Sequence, residues 1–292
     1  MTPILVPLDG SRLSEAIIPM AEALARDYEA GLLLVRALHP RGSPDAEVAI
    51  QKEAEGYLAT LAGDLEARGL PNVRWKVWYD HPDRAIVDAA RHNGATLIAM
   101  TTHGRGGLGR VLLGSVAESV VRRSPVPVLL VRGELSWTPG AIGRIVVPLD
   151  GSERSEAVLP VVERLAGPFD FTIDLLQAVE PLTPAAAAEL SMESSDHIMG
   201  LRLADADAYL AKVAAALEAK GLRVRPEVRL GPAAEVILEY ARRERPGLVA
   251  MSTHGRSGLN RLLLGSVAEH VLRGAPVPLL LWKAAPAHAT GR

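Results

Sequence analysis

The sequence predicts an α/β protein of two tandem doubly wound domains, each a five-stranded parallel sheet flanked by helices. Three observations carry this. A chain of 292 residues suits two domains of roughly 140 residues each better than one. Short apolar runs alternate with longer segments of helical periodicity, the βαβ pattern of parallel sheets joined by right-handed crossovers. The chain also repeats itself. Ile4–Pro19 (ILVPLDGSRLSEAIIP) returns as Ile145–Pro160 (IVVPLDGSERSEAVLP), and Thr102–Arg132 matches Thr253–Lys283 at 21 of 31 positions.

In the first half, Pro3–Leu8 is a continuous apolar run, the mark of a strand buried on both faces. Ser11–Tyr28 reads as one helix and Ala30–Leu38 as the second strand. Asp45–Arg68 reads as a long helix closed by Gly69, and Val73–Tyr79 as the third strand. Pro82–His92 reads as a helix, Ala95–Thr101 as the fourth strand, Ser115–Arg123 as the last helix and Val126–Arg132 as strand five. The second half repeats the order with about eleven extra residues, assigned to Glu180–Gly200, a longer connection or an added helical turn. The expected domains are 1–133 and 144–284, with a Gly-, Pro- and Ser-containing linker at 133–143 and a flexible tail at 285–292. Strand five is apolar in both copies and is expected at a sheet edge, where unpaired backbone invites pairing.

Composition narrows the function. Hydrophobic residues make up 48% and aromatics 4%, so the cores are filled by Ala, Val, Leu and Ile. A net charge of −2 and a pI near 6.5 supply no field to attract nucleic acid. No cysteine occurs, which excludes disulfides, thiolate nucleophiles and Cys-type zinc sites. No apolar run reaches the 18 or so residues of a membrane span, and the start, MTPILVPLDGS, lacks a signal-peptide pattern. The expected address is the cytoplasm, with no membrane partner.

The chemistry concentrates in THGRGGLGRVLLGSVAE (Thr102–Glu118) and its twin THGRSGLNRLLLGSVAE (Thr253–Glu269). SVAE fits a capping box, with Ser115 and Glu118, or Ser266 and Glu269, fixing a helix start. The backbone N–H groups of such a start, with the positive end of the helix dipole, form an anion site. The competing reading is an ordinary tight entry to a capped helix. Gly104, Gly106 and Gly109 spell G-x-G-x-x-G, but after the fourth strand rather than the first, and Ser257 and Asn260 break the pattern in the second copy. A P-loop would need lysine where Leu113 and Leu264 stand. At the end of the first strand, Asp9 and its twin Asp150 lie where ligands bind in open parallel sheets. Each either accepts hydrogen bonds from a ligand or, with the nearby serine, caps the next helix. His103 and His254 fit shaping the turn or lining the phosphate site better than catalysis, since no partnered carboxylate lies nearby in sequence. Arg105, Arg110, Arg256 and Arg261 read equally as phosphate contacts or solvated charge. Trp75 and Trp78 show the alternation of any half-buried strand.

VPLDGS, the glycine loop and PVPVLLV together resemble the universal stress protein family, and both halves are covered nearly end to end. The resemblance implies a Rossmann-like, adenine nucleotide alpha hydrolase-like fold. The family signature is G-x-x-G, nine residues, then G-[ST]. Gly104, Gly114 and Ser115 match it, as do Gly255, Gly265 and Ser266, while Thr101 and Ser252 replace its first glycine. By this resemblance Asp9 and Asp150 contact adenine or ribose beside Pro7 and Pro148, and Ala37 and Ala178 offer backbone groups to the base. Gly104, Gly114, Ser115 and Val116, and likewise Gly255, Gly265, Ser266 and Val267, hold the phosphates of ATP, ADP or AMP. Mg²⁺ commonly accompanies the phosphates, although the sequence shows no dedicated metal ligands. The resemblance also implies pairing through strand five: an internal pseudo-dimer of the two halves, with a homodimer of chains open. The leading expectation is an ATP-binding stress-response protein with little or no hydrolysis and no catalytic residue. The alternatives are a nucleotide-free interaction module and an ATP-dependent enzyme, for which no general base or P-loop lysine is present.

Overall fold

A computed structural model of the chain describes residues 2–39, 43–102, 114–132, 143–166, 171–253 and 264–283. By its contacts the chain divides into two compact units, Met1–Ala141 with Val277–Leu281, and Ile142–Pro276 with Trp282–Arg292.

The first unit runs β1 (Ile4–Pro7), α1 (Arg12–Glu15), α2 (Ile18–Asp27), β2 (Leu32–Leu38), α3 (Pro44–Ala67), β3 (Val73–Tyr79), α4 (Pro82–His92), β4 (Leu97–Thr101), α5 (Ser115–Arg123) and β5 (Val128–Val131). The sheet order is β3-β2-β1-β4-β5, with every pair among these strands parallel. Helices on both faces bury Ile4, Leu5 and Val6 of β1. Leu5 and Leu34 are fully enclosed, each contributing about 1.5–3 kcal/mol relative to exposure. β3 forms an edge and keeps Trp75 and Tyr79 exposed; the expected alternation is not seen, because Arg74, Trp75 and Lys76 are all exposed and only Val73 is buried.

The expected helix over Ser11–Tyr28 is two helices. Pro19 has no N–H to give and its ring crowds the carbonyl four residues back. The chain therefore stops at Glu15 and restarts at Ile18, with Pro19 in the first turn of α2. α3 starts on Ser43, whose Oγ accepts from Ala46 N, and ends where Gly69 adopts φ +83°. There Gly69 N donates to Glu66 O and Leu70 N to Leu65 O, the paired bonds of a left-handed helix stop.

Strand five is not a free edge. Besides β4, it pairs antiparallel with Leu279–Leu281, which the contacts count with the first unit. The row of backbone groups that invited pairing is used.

The second unit runs β6 (Arg144–Pro148), α6 (Glu153–Glu156), α7 (Leu159–Ala166), β7 (Thr172–Val179), α8 (Pro184–Ala188), α9 (Met192–Glu218), β8 (Arg223–Leu230), α10 (Ala233–Glu244), β9 (Leu248–Ser252) and α11 (Ser266–Gly274). β10 (Leu279–Trp282) closes the series. Strands β8-β7-β6-β9 repeat the parallel order of the first unit, and Pro160 breaks the helix after β6 as Pro19 does after β1. The extra residues become α8 and a longer α9, 27 residues against 24 for α3.

Candidate functional site

In the second unit β6 lies between β7 and β9, so the chain direction across the sheet reverses at β6 and a crevice opens beyond the carboxyl ends of these strands. It is a cavity of about 810 Å³, within the range of small-molecule sites. Pro148, Asp150, Ala178, Ser252, Gly265, Ser266 and Val267 all line it, so these second-half expectations converge on one place. Gly255 lies outside the described residues. So do Gly104, His103, His254 and the four loop arginines.

One end of the cavity is the start of α11. Gly265, not Ser266, is the N-cap: its φ of −60° and ψ of 146° are extended, and Glu269 N donates to its carbonyl. The expected capping box is therefore absent. Ser266 stands one residue inside the helix, and Glu269 pairs with Arg273. A glycine has no side chain with which to cap, and no side-chain capping bond is made. Gly265 N itself donates to Thr253 O at 2.8 Å. Among the described residues nothing accepts from the N–H groups of Ser266, Val267 and Ala268, the donors of the first turn, with the positive end of the helix dipole behind them.

The other end carries acceptors. Asp150 Oδ1 accepts from Ser152 N at 3.0 Å and Ser152 Oγ at 2.6 Å, while Ser152 Oγ caps α6. The serine is the cap, and the aspartate orders the turn into it. Asp205, Glu180, Arg202, Tyr209 and Gln177 also line the cavity, together with the apolar Ile237, Met251 and Val179. Sequence reasoning missed this group. Its signal was available in α9, where Arg202, Asp205 and Tyr209 recur at helical spacing on one face. Tyr209 donates to Glu156 Oε1 at 2.9 Å; burial, then this bond, push its phenol well above the ordinary value, which keeps it a neutral donor. Two buried atoms, Gln177 Oε1 and Ser252 Oγ, have no hydrogen-bond partner among the described residues, a costly state in a finished interior. Both residues line the cavity.

The first unit builds the corresponding corner. Asp9 Oδ1 accepts from Ser11 N at 2.9 Å, and Ser11 caps α1. Pro7 ends β1, Ala37 lies near the end of β2, and Thr101, buried, ends β4. Gly114, with φ −62° and ψ 140°, is the uncapped N-cap of α5, so the expected Ser115–Glu118 box is absent here too. Glu118 pairs with Arg122. Gly114 N donates to Thr102 O at 2.9 Å, leaving Ser115, Val116 and Ala117 as first-turn donors. Tyr57 donates to Glu15 Oε1 at 2.8 Å, the twin of the Tyr209–Glu156 bond.

The arrangement suits an elongated ligand, anionic at one end and rich in hydrogen-bond donors at the other. The family model described as the universal stress protein family matches the chain twice, over residues 1–132 and 141–283. A universal stress protein of Thermus aquaticus is 35% identical over 133 residues, which are 44% of this chain and 97% of that protein. One from Mycolicibacterium smegmatis is 25% identical over 299 residues, 95% of this chain and 96% of its own. The crystal structure of a universal stress protein from Archaeoglobus fulgidus superposes with a TM-score of 0.73 at 21% identity, over 97% of this chain and 98% of that one. At that identity the likeness shows the fold.

Proposed function

The chain belongs to the universal stress protein family, and on that premise we propose that it is a stress-response protein that binds an adenine nucleotide, ATP or its relatives ADP and AMP. The observation that carries this is the uncapped start of α11, which opens on a cavity whose far end is lined by acceptors. Ser266, Val267 and Ala268 N–H groups, with the Ser266 hydroxyl, receive the phosphates. Asp150 accepts from a sugar hydroxyl or the base beside Pro148, Ala178 offers backbone groups to the base, and the Ser252 hydroxyl, in place of the family's first glycine, donates to or accepts from the ligand. Pro7, Asp9, Ala37, Thr101, Gly114, Ser115 and Val116 hold the equivalent positions in the first half.

Little or no hydrolysis is part of the same proposal, because the sequence offers no P-loop lysine and no partnered general base to direct water at a phosphoryl group. No group of three or more metal-ligating side chains occurs among the described residues, so Mg²⁺ enters with the phosphates rather than into a protein cage. No helix among them is long and apolar enough to cross a membrane.

Calorimetric titration of the purified chain with ATP, ADP, AMP and cyclic AMP, with and without Mg²⁺, tests the reading. Saturable heat with an adenine nucleotide, and phosphate release far slower than about one per second, is the expected result. No nucleotide heat, together with no nucleotide released on denaturation, overturns it.

A further inference from the structure

We infer that the two halves have diverged at the end of the site remote from the phosphates, and that only the second half takes a nucleotide. The inference rests on the nucleotide reading above.

The frame that holds the long helix over the second strand is the same in both halves. Tyr57–Glu15 at 2.8 Å and Tyr209–Glu156 at 2.9 Å tie it to the helix after the first strand. The residues lying between these ties and the strand end are therefore comparable position by position. Arg36 corresponds to Gln177, each directly before the alanine of its strand (Ala37, Ala178). Glu53 corresponds to Asp205, each four residues before its tyrosine.

Gln177, Asp205 and Tyr209 all line the cavity and are not closed on one another, and the buried Gln177 Oε1 has no partner among the described residues. Their counterparts are closed on one another. Arg36, with its side chain only 6% exposed, donates from Nη1 to Glu53 Oε1 at 3.2 Å and from Nη2 to Glu53 Oε2 at 2.9 Å. Its guanidinium also lies 5.4 Å from the centre of the Tyr57 ring. This planar fork, bidentate and backed by an aromatic ring, is the strongest geometry an arginine offers. It occupies the place where the second half leaves an amide and a shorter acid apart. Glu53 is 61% exposed and Arg36 is not, so a base entering there would have to displace the carboxylate toward solvent and leave the buried guanidinium without it, which is disfavoured. Among the described residues the helix starts at Gly114 and Gly265 are alike in the two halves and the remote ends are not, and the inferred selection between the halves lies in Arg36 and Glu53.

Equilibrium dialysis of the full chain against radiolabelled ATP reads this as stoichiometry. One equivalent is expected for the wild type. Grafting the second half's residues into the first, Arg36→Gln with Glu53→Asp, should raise it to two. The reverse graft, Gln177→Arg with Asp205→Glu, should weaken the single site at least tenfold, with far-ultraviolet spectra reporting that each variant is folded. Two equivalents of like affinity in the wild type overturn the inference, as does one equivalent retained with unchanged affinity in the reverse graft. If the wild type binds no ATP while folded, the nucleotide reading fails first and this inference with it.

Discussion

Replacing Gly265 with aspartate should strengthen the fold and abolish the ligand. Gly265 is the N-cap of α11 with φ −60° and ψ 146°, a conformation open to any L-residue, so the substitution carries no backbone strain. Asp is among the best N-cap residues and betters glycine by a few tenths of a kcal/mol. Its charge at the positive end of the helix adds about 0.3–1 kcal/mol. Together these amount to about 0.5–1 kcal/mol, or a rise of about 1–4 °C in Tm for a chain of this size. The new carboxylate bonds the first-turn N–H groups that the phosphates would use. At about 4 Å from a phosphate charge and an effective dielectric constant of about 20, repulsion is about 4 kcal/mol, well over a hundredfold in Kd. Thermal denaturation without ligand and calorimetry with ATP measure the two effects. Gly114→Asp, in the equally uncapped α5, is the control: the same stabilisation with nucleotide binding unchanged. A Gly265→Asp protein that is less stable than wild type, or binds ATP within threefold of it, refutes the reasoning, because a merely damaged helix cannot gain stability while losing ligand.

Three further outcomes are expected. Ser252→Ala removes a buried hydroxyl without a partner among the described residues and should raise stability by up to about 1 kcal/mol in urea denaturation while weakening ATP binding severalfold; a loss of more than 1 kcal/mol would mean that the hydroxyl is already satisfied. Burial raises the pKa of Asp174, opposed by its bond from Tyr240 and by Arg144 and Arg225. A carboxyl raised in the folded state stabilises most below its unfolded pKa and loses that contribution as pH rises through the folded value, so the stability of Asp174→Asn relative to wild type should grow as pH rises above the ordinary carboxyl range, and urea midpoints showing the opposite slope would contradict the assignment. Gly31→Ala would set a Cβ 2.9 Å from the Asn72 backbone oxygen, where β2 meets the turn into β3, and should cost about 1–3 kcal/mol; an unchanged Tm would show that the turn yields freely.

The sheet and the site were legible to different depths. Buried runs such as Ile4–Leu8 and the duplicated VPLDGS and GSVAE segments place the strands and put Asp150 and Gly265 at one crevice, because strand order and right-handed crossovers leave little freedom. Helix starts were less legible. SVAE satisfies a capping box if the serine precedes the first helical residue, yet a shift of one position makes Gly114 and Gly265 the caps. That shift is set by the Gly114–Thr102 and Gly265–Thr253 backbone bonds, which tie residues distant in sequence. Pro19 and Pro160 were visible breakers outweighed by the apolar period around them. The Arg36–Glu53 pair joins a strand to a helix 17 residues on, and nothing local in either segment announces it.

The central claim, that the first turn of α11 receives the phosphates of a nucleotide, is tested most directly by following the backbone amide resonances of Ser266, Val267 and Ala268 during titration of the nitrogen-15-labelled chain with ATP. The account predicts saturable shifts at these three amides, moving together with one dissociation constant that agrees with calorimetry. Bound ATP that leaves all three unmoved would contradict it.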